Sequence, residues 1–247
     1  MRLSAPIFHL KRLAKAQARS EAIPLHEALD NIAIKEGFSS WSLLAAQASS
    51  YPEARDLYDR LKPGDLVLLA ARPGQGKTMM GLDLIIEAAK AGRRGAFFTL
   101  EYNQDDIVEQ IGVERIGAER IGRPGASSRP LRDHIDFDTS DSISADHIIA
   151  RLDQASQGTL VVIDYLQLLD QKRDNPSLEN QVNTLKRFAE AKGLIIVFIS
   201  QIDRAYDATV KSCPDLSDVR LPNPLDLSHF NMSCFLNAGE VRIEAMR

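Results

Sequence analysis

Leu66-Val67-Leu68-Leu69-Ala70-Ala71-Arg72-Pro73-Gly74-Gln75-Gly76-Lys77-Thr78 runs from an apolar segment through a glycine-containing turn into a stretch of helical character. A short apolar run bounded by turn residues predicts a strand buried on both faces. Glycines at 74 and 76 let the backbone curl so that successive N–H groups converge on an anion. The helix that follows adds the positive end of its dipole. Such a strand, turn and helix form a loop suited to a phosphate chain. Lys77 is placed to bridge the β- and γ-phosphates, and the Thr78 hydroxyl to ligate Mg²⁺. Arg72, Pro73, Gly74, Gln75, Gly76, Lys77, Thr78 and Met79 are therefore the expected nucleotide-binding residues, with ATP and Mg²⁺ as expected cofactors. A chance glycine-rich turn is the competing explanation, and the strand before it and the helix after it argue against that. Ala71 stands where the general motif has its first glycine.

Outward from this stretch, apolar runs recur at residues 95–100, 159–163 and 194–199. Helical patterns at 77–91, 105–115, 145–154 and 178–192 separate them. Strands alternating with helices predict βαβ units and a mostly parallel α/β sheet. Residues 134–137 add a possible strand. The tail around Asn237-Ala238-Gly239 reads as a terminal hairpin of residues 230–236 and 241–246. Before the sheet, residues 1–20 carry five basic side chains and no acidic one, with Leu10, Leu13, Ala14 and Ala18 near helical spacing. A second helix is expected to about Glu36, ended by Gly37, and a third containing Trp41 and Leu44. The expected organisation is a small basic helical module over residues 1–50, a linker or short helix over 51–62, and an ATPase domain over 63–247.

Composition sets the outer limits. Apolar residues make up 44% of the 247, enough for a real core and against global disorder. No apolar run approaches the roughly 18 residues needed to cross a bilayer, so no membrane association is expected. Cys213 and Cys234 match no metal spacing, and a cytoplasmic location is expected. A net charge of −4 argues against a generally polybasic nucleic-acid binder.

Three further residues end apolar runs. Asp164 closes Leu160-Val161-Val162-Ile163, where a carboxylate can hold the Mg²⁺ shell beside a phosphate loop. An ordinary turn aspartate is the alternative, weakened by the loop upstream. Glu101 follows Phe97-Phe98-Thr99-Leu100. A base at the carboxyl edge of such a sheet can deprotonate an attacking water. From position alone, a surface acid is the simpler reading. Gln201 follows the run at 194–199, where its amide can sense a γ-phosphate; a bland polar strand end fits as well.

Taken in order, Ala70-Ala71-Arg72-Pro73-Gly74-Gln75-Gly76-Lys77-Thr78, Thr99-Leu100-Glu101, Val162-Ile163-Asp164-Tyr165-Leu166-Gln167-Leu168 and Ile199-Ser200-Gln201-Ile202-Asp203-Arg204 resemble the ATPase domain of DnaB-type replicative helicases, within the RecA-like group. The resemblance covers about residues 61–247. It implies a RecA-like fold, ATP hydrolysis, DNA as partner, a role in DNA replication and self-association, most often as a hexamer. It also implies Glu101 as catalytic glutamate, Asp164 in the metal shell, and Gln201 as coupler of the γ-phosphate to DNA-contacting loops. Arg247 matches a final-strand arginine that reaches the neighbouring subunit's ATP, while Ala245 replaces the accompanying lysine.

Departures bear on what the ATPase drives. Residues 1–50 are too short for the amino-terminal domain of replicative helicases. After Gln201, a proline-containing segment, Asp218-Val219-Arg220-Leu221-Pro222-Asn223-Pro224, replaces an acidic, Gly/Ser-rich one. Arg115, Arg120, Arg123, Arg129 and Arg132 lie in a Gly/Pro/Ser-containing stretch that can contact phosphates or simply be solvated. The amino-terminal module can contact DNA or a protein, with Trp41 more simply packing a small core. Two activities follow: a DNA-stimulated ATPase or helicase acting as an oligomer, or a RecA-like ATPase that remodels a protein partner without unwinding DNA. A nucleotide-gated binding module that cycles slowly is a third, which the retained Glu101 argues against.

Overall fold

Why an open parallel sheet forms is visible in its strands. β1 (Leu66–Ala71), β2 (Gly95–Thr99) and β6 (Leu160–Asp164) are buried at every residue, and β7 (Ile195–Gln201) at all but its last. Only covered faces allow such apolar runs. The computed structural model describes residues 7–41, 44, 52–100, 120–121, 129–170, 175–221 and 223–246. They fall into two compact units, Met1–Tyr51 and Pro52–Arg247.

In the smaller unit, α1 (Ile7–Glu21) and α2 (Leu25–Lys35) pack through Leu10, Ala14, Ala28, Ile32 and Ala33. Gly37, at φ +87°, follows the α2 C-cap, and the Phe38 N–H returns to the Ala33 carbonyl at 2.9 Å. Trp41 is half-buried against this cluster, and its backbone N–H donates to Asp30 Oδ1 at 2.7 Å. The simpler role weighed for Trp41 is thus the one it takes. Of the third expected helix, only Trp41 and Leu44 lie among the described residues beyond residue 40.

In the larger unit, α3 (Pro52–Arg60) buries Ala54 and Leu57 and packs on α4 (Lys77–Lys90). The stretch read as linker or short helix therefore carries a helix of the second unit. The remaining elements are the short pair β3 (Arg120–Ile121) and β4 (Arg129–Pro130), β5 (Ile135–Asp138), α5 (Ala145–Arg151), α6 (Leu178–Lys192), β8 (Met232–Asn237) and β9 (Glu240–Ala245). The main sheet has the order β5-β2-β6-β7-β1-β8-β9. Every neighbour is parallel except the β8–β9 hairpin.

Period-two alternation sends successive strand residues to opposite faces. Leu66, Leu68, Phe98, Ile163 and Phe198 pack with Ile148 of α5 and with Leu178, Val182, Leu185 and Ala189 of α6. On the other face, Phe97, Val162 and Ile199 approach α4 at Gly81. A Cβ there would lie 3.0 Å from both Val162 Cγ1 and Ile199 Cδ1. The missing side chain lets α4 seat closely on the sheet and fixes where its N-terminus points. The helix expected over 145–154 stops at Arg151, where Leu152 caps it. The pair β3–β4 falls in the arginine-containing stretch, where no strand was expected. The helix expected over 105–115 lies outside the described residues.

Candidate phosphate site

Chain order and sheet order differ, and the difference makes the site. β1 lies between β7 and β8, while the next strand in sequence, β2, lies beyond β6. The crossover opens a crevice at the carboxyl edge of β1, where ligands of such sheets bind. Register then aligns the strand ends. Ala71 pairs with Gln201, Thr99 with Asp164, and Asp164 with Ile199. Four strands that are remote in sequence thus deliver the phosphate loop, Thr99, Asp164 and Gln201 to one edge.

The loop from Arg72 to Gly76 turns back on itself, with the Gln75 N–H donating to the Arg72 carbonyl at 3.2 Å. Gly74 and Gly76 hold φ of +78° and +87°, a region that costs residues with a Cβ about 1–2 kcal/mol. A Cβ on Gly74 would meet nothing within 4 Å, so its conformation, not crowding, calls for glycine there. Gly76 is the N-cap of α4 and supplies no side-chain cap, and no acid occupies the first turn. The leading N–H groups of α4 therefore lack a side-chain acceptor at the cap, which is the arrangement that suits an anion.

Lys77 and Thr78 are each 7% exposed. Among the described residues, the Lys77 ammonium has neither a hydrogen bond nor an ion pair. A cation carried by a largely buried side chain is stabilised by an anion beside it. Thr78 Oγ1 donates to Asp164 Oδ2 at 2.8 Å, and Asp164 is fully buried. A hydroxyl and a carboxylate side by side are hard oxygen donors, the set that fits Mg²⁺. Met79 is half-buried in the same turn. Arg72 is half-buried and Pro73 exposed at the loop's mouth.

Gln201 closes β7 half-buried, and its carbonyl accepts from the Arg220 N–H at 2.8 Å. Glu101 and Arg247 lie outside the described residues. Beyond Gln201, the Ile202 N–H donates to the Ala71 carbonyl at 3.2 Å, and the Asp203 N–H to the Asp218 carbonyl at 2.7 Å. Lys211 is clamped by Asp215 and by Asp218, the latter at 2.7 Å. The hydrogen bond from Lys211, reinforced by Ser217, holds the Asp215 carboxyl down at about 2. The same pairs push the Lys211 ammonium upward. A second tie fixes the far end of this segment, where the His229 ring and the Asp226 N–H both meet Glu179 of α6. Those bonds hold the Glu179 carboxyl below its usual range.

One contact escaped sequence reasoning. The Ala238 N–H, in the β8–β9 turn, donates to Gln75 Oε1 at 2.8 Å across a separation of 163 residues. Gln75 was read only for its backbone. Nothing in the residue pattern links the two positions.

Among the described residues, no helix is long and apolar enough to cross a membrane. Both cysteines are buried free thiols, and burial raises the pKa of each.

The family described as the DnaB-like helicase C terminal domain matches residues 48–225. A replicative DNA helicase DnaB of Synechocystis is 29% identical over 236 residues, covering 85% of this chain and 26% of that protein. A probable plasmid replicative DNA helicase of Chlamydia trachomatis is 30% identical over 200 residues, covering 72% of this chain and 44% of that protein. The chain thus spans from about a quarter to under half the length of these relatives. Among solved structures, a DnaB-like replicative helicase, described with its primase interactions, superposes with a TM-score of 0.57 at 18% identity, covering 96% of this chain and 73% of that one. A KaiC-like protein of Pyrococcus horikoshii gives a TM-score of 0.50 at 16% identity, covering 75% of this chain and 80% of that one. At these identities the structural likeness speaks for the fold alone.

Proposed function

This chain belongs to the DnaB-like helicase C-terminal domain family, and on that premise we propose that it binds Mg-ATP at the Lys77 loop and hydrolyses it in a DNA-stimulated, oligomeric ATPase. The observation that carries the reading is Lys77: a cation 7% exposed, with no anionic partner among the described residues, at the start of a helix with no side-chain cap. A polyphosphate supplies the missing charge. In this reading the backbone from Arg72 to Met79 cradles the phosphates, and Thr78 and Asp164 hold Mg²⁺. Bound Mg²⁺ would neutralise charge on the β- and γ-oxygens. Glu101 is the general base for the attacking water. Gln201 couples the γ-phosphate to residues 203–221, and Arg247 reaches the ATP of an adjacent chain. Self-association, as a hexameric ring, follows from that shared site. Residues 1–50 act as a recruitment or DNA-contact module, residues 63–247 as the ATPase domain, and the protein works in the cytoplasm.

A second reading has one observation in its favour. Lys211, in the segment that follows Gln201, is occupied by Asp215 and Asp218. A lysine so neutralised is a poor phosphate contact. This suits an ATPase that remodels a protein partner without unwinding DNA. Turnover of the full chain with and without single-stranded DNA separates the two. Stimulation by DNA, falling with salt, supports the first; turnover indifferent to DNA supports the second. Lys77→Ala is expected to abolish turnover and strongly weaken ATP binding. Wild-type turnover in that variant would sink both readings.

A further inference from the structure

The turn that closes the terminal hairpin is held from two sides. From one side, Gln75 Oε1 of the phosphate loop accepts its Ala238 N–H at 2.8 Å. From the other, Asn237 Nδ2 donates to the Ser212 carbonyl at 2.6 Å and to the Tyr206 hydroxyl at 3.3 Å. Tyr206 is 5% exposed, and its hydroxyl donates in turn to the Lys211 carbonyl at 2.7 Å. Lys211 is tied through Asp218 to Asp203, two residues after Gln201. Hydrogen bonds joined by short stretches of chain therefore link the phosphate loop, through the hairpin turn, to the segment after Gln201.

The turn itself is tight. Ala238 and Gly239 have φ of +50° and +84°, the pattern of a two-residue hairpin turn whose twist matches its strands. β8, which feeds it, pairs with β1 along Val67–Ala71, so turn and phosphate loop spring from adjacent strands. A side chain that reaches across to a fixed turn removes freedom from a loop whose glycines otherwise permit many conformations.

We propose that Gln75 and Asn237 are positioning residues for the nucleotide site: through the Asn237-Ala238-Gly239 turn, they hold the phosphate loop in its binding shape and tie it to the segment after Gln201. The Gln75 side chain acts on the hairpin, and only its backbone faces the phosphates. This inference rests on the reading of the loop as an ATP site.

The test measures turnover against ATP concentration, and binding of a fluorescent ATP analogue, for the full chain and its variants. Gln75→Leu keeps the volume and loses the acceptor; Asn237→Leu loses the donors. Each is expected to raise the ATP KM and the analogue's Kd about three- to tenfold, as for loss of one or two net hydrogen bonds, with kcat nearly unchanged. Because the Gln75 and Asn237 links act in series, the double variant is expected to match the single ones rather than multiply them. Melting temperatures identify the folded variants, and Gln75→Met repeats the test should Gln75→Leu not fold. Lys77→Ala, run alongside, is expected to abolish turnover and weaken binding far more strongly. Wild-type KM in the folded Gln75 variants, loss in kcat alone, or multiplying effects in the double variant would overturn the inference while leaving the ATP site intact. Absence of ATP binding in the wild type would overturn the functional reading and this inference with it.

Discussion

Thr78 Oγ1 lies 2.8 Å from Asp164 Oδ2, joining the first turn of α4 to the end of β6 across 86 positions of sequence. Neither residue can form a metal site alone. Their meeting depends on β6 lying two strands from β1, with α4 packed across both.

Changing either member of this pair tests the metal role. Asp164→Asn keeps the shape and removes the charge. It is expected to raise the Mg²⁺ needed for half-maximal turnover by about ten- to a hundredfold. Thr78→Ala is expected to act in the same direction, whereas Thr78→Ser retains the hydroxyl and most of the activity. Turnover titrated with Mg²⁺ at fixed ATP decides this. An unchanged titration for Asp164→Asn would remove the carboxylate from the metal shell.

Glu101→Gln separates chemistry from binding. A lost general base lowers turnover by on the order of a hundredfold or more while ATP affinity stays near wild type. Parallel losses in Kd and kcat would make Glu101 a structural residue instead. Single-turnover hydrolysis together with equilibrium binding distinguishes these outcomes.

Ala238 sits at φ +50° in the hairpin turn, beside Gly239. An L-residue with a Cβ is strained there, whereas asparagine tolerates the region and forms the favoured Asn-Gly pair. Ala238→Asn is expected to stabilise the protein by about 0.5–1 kcal/mol, with the backbone N–H to Gln75 retained. A lower melting temperature would contradict that account of the turn.

Acid should loosen the segment after Gln201. Asp215 has its folded pKa depressed to about 2, below an unfolded value of about 3.9. A depressed carboxylate contributes stability above its unfolded pKa and loses it as pH falls through the folded one. The window is therefore about pH 4 down to about 2. Glu179, also depressed, acts with the same sign. Asp215→Asn is expected to lower stability at neutral pH and flatten its decline across that window. Chemical denaturation at a series of pH values measures both. An unaltered slope would show that the Lys211 clamp contributes nothing.

Sequence alone marked most of the main elements, because their signals are local. Apolar runs marked β1, β2, β6 and β7, the helical pattern over 178–192 marked α6, and Gly74-Gln75-Gly76-Lys77-Thr78 marked the phosphate loop. Periodicity and turn chemistry operate within a few residues, so they can be read from a string. Tertiary structure decided what meets what. The strand order that brings Asp164 and Gln201 to the edge where β1 ends, and the turn at Ala238 that grips Gln75, depend on packing between segments remote in sequence. The burial of the Lys77 side chain belongs to the same class, since burial is a property of the assembled core. Even the stretch read as linker or short helix owes its place to burial of Ala54 and Leu57 beside α4, because so short a helix draws most of its stability from packing rather than propensity.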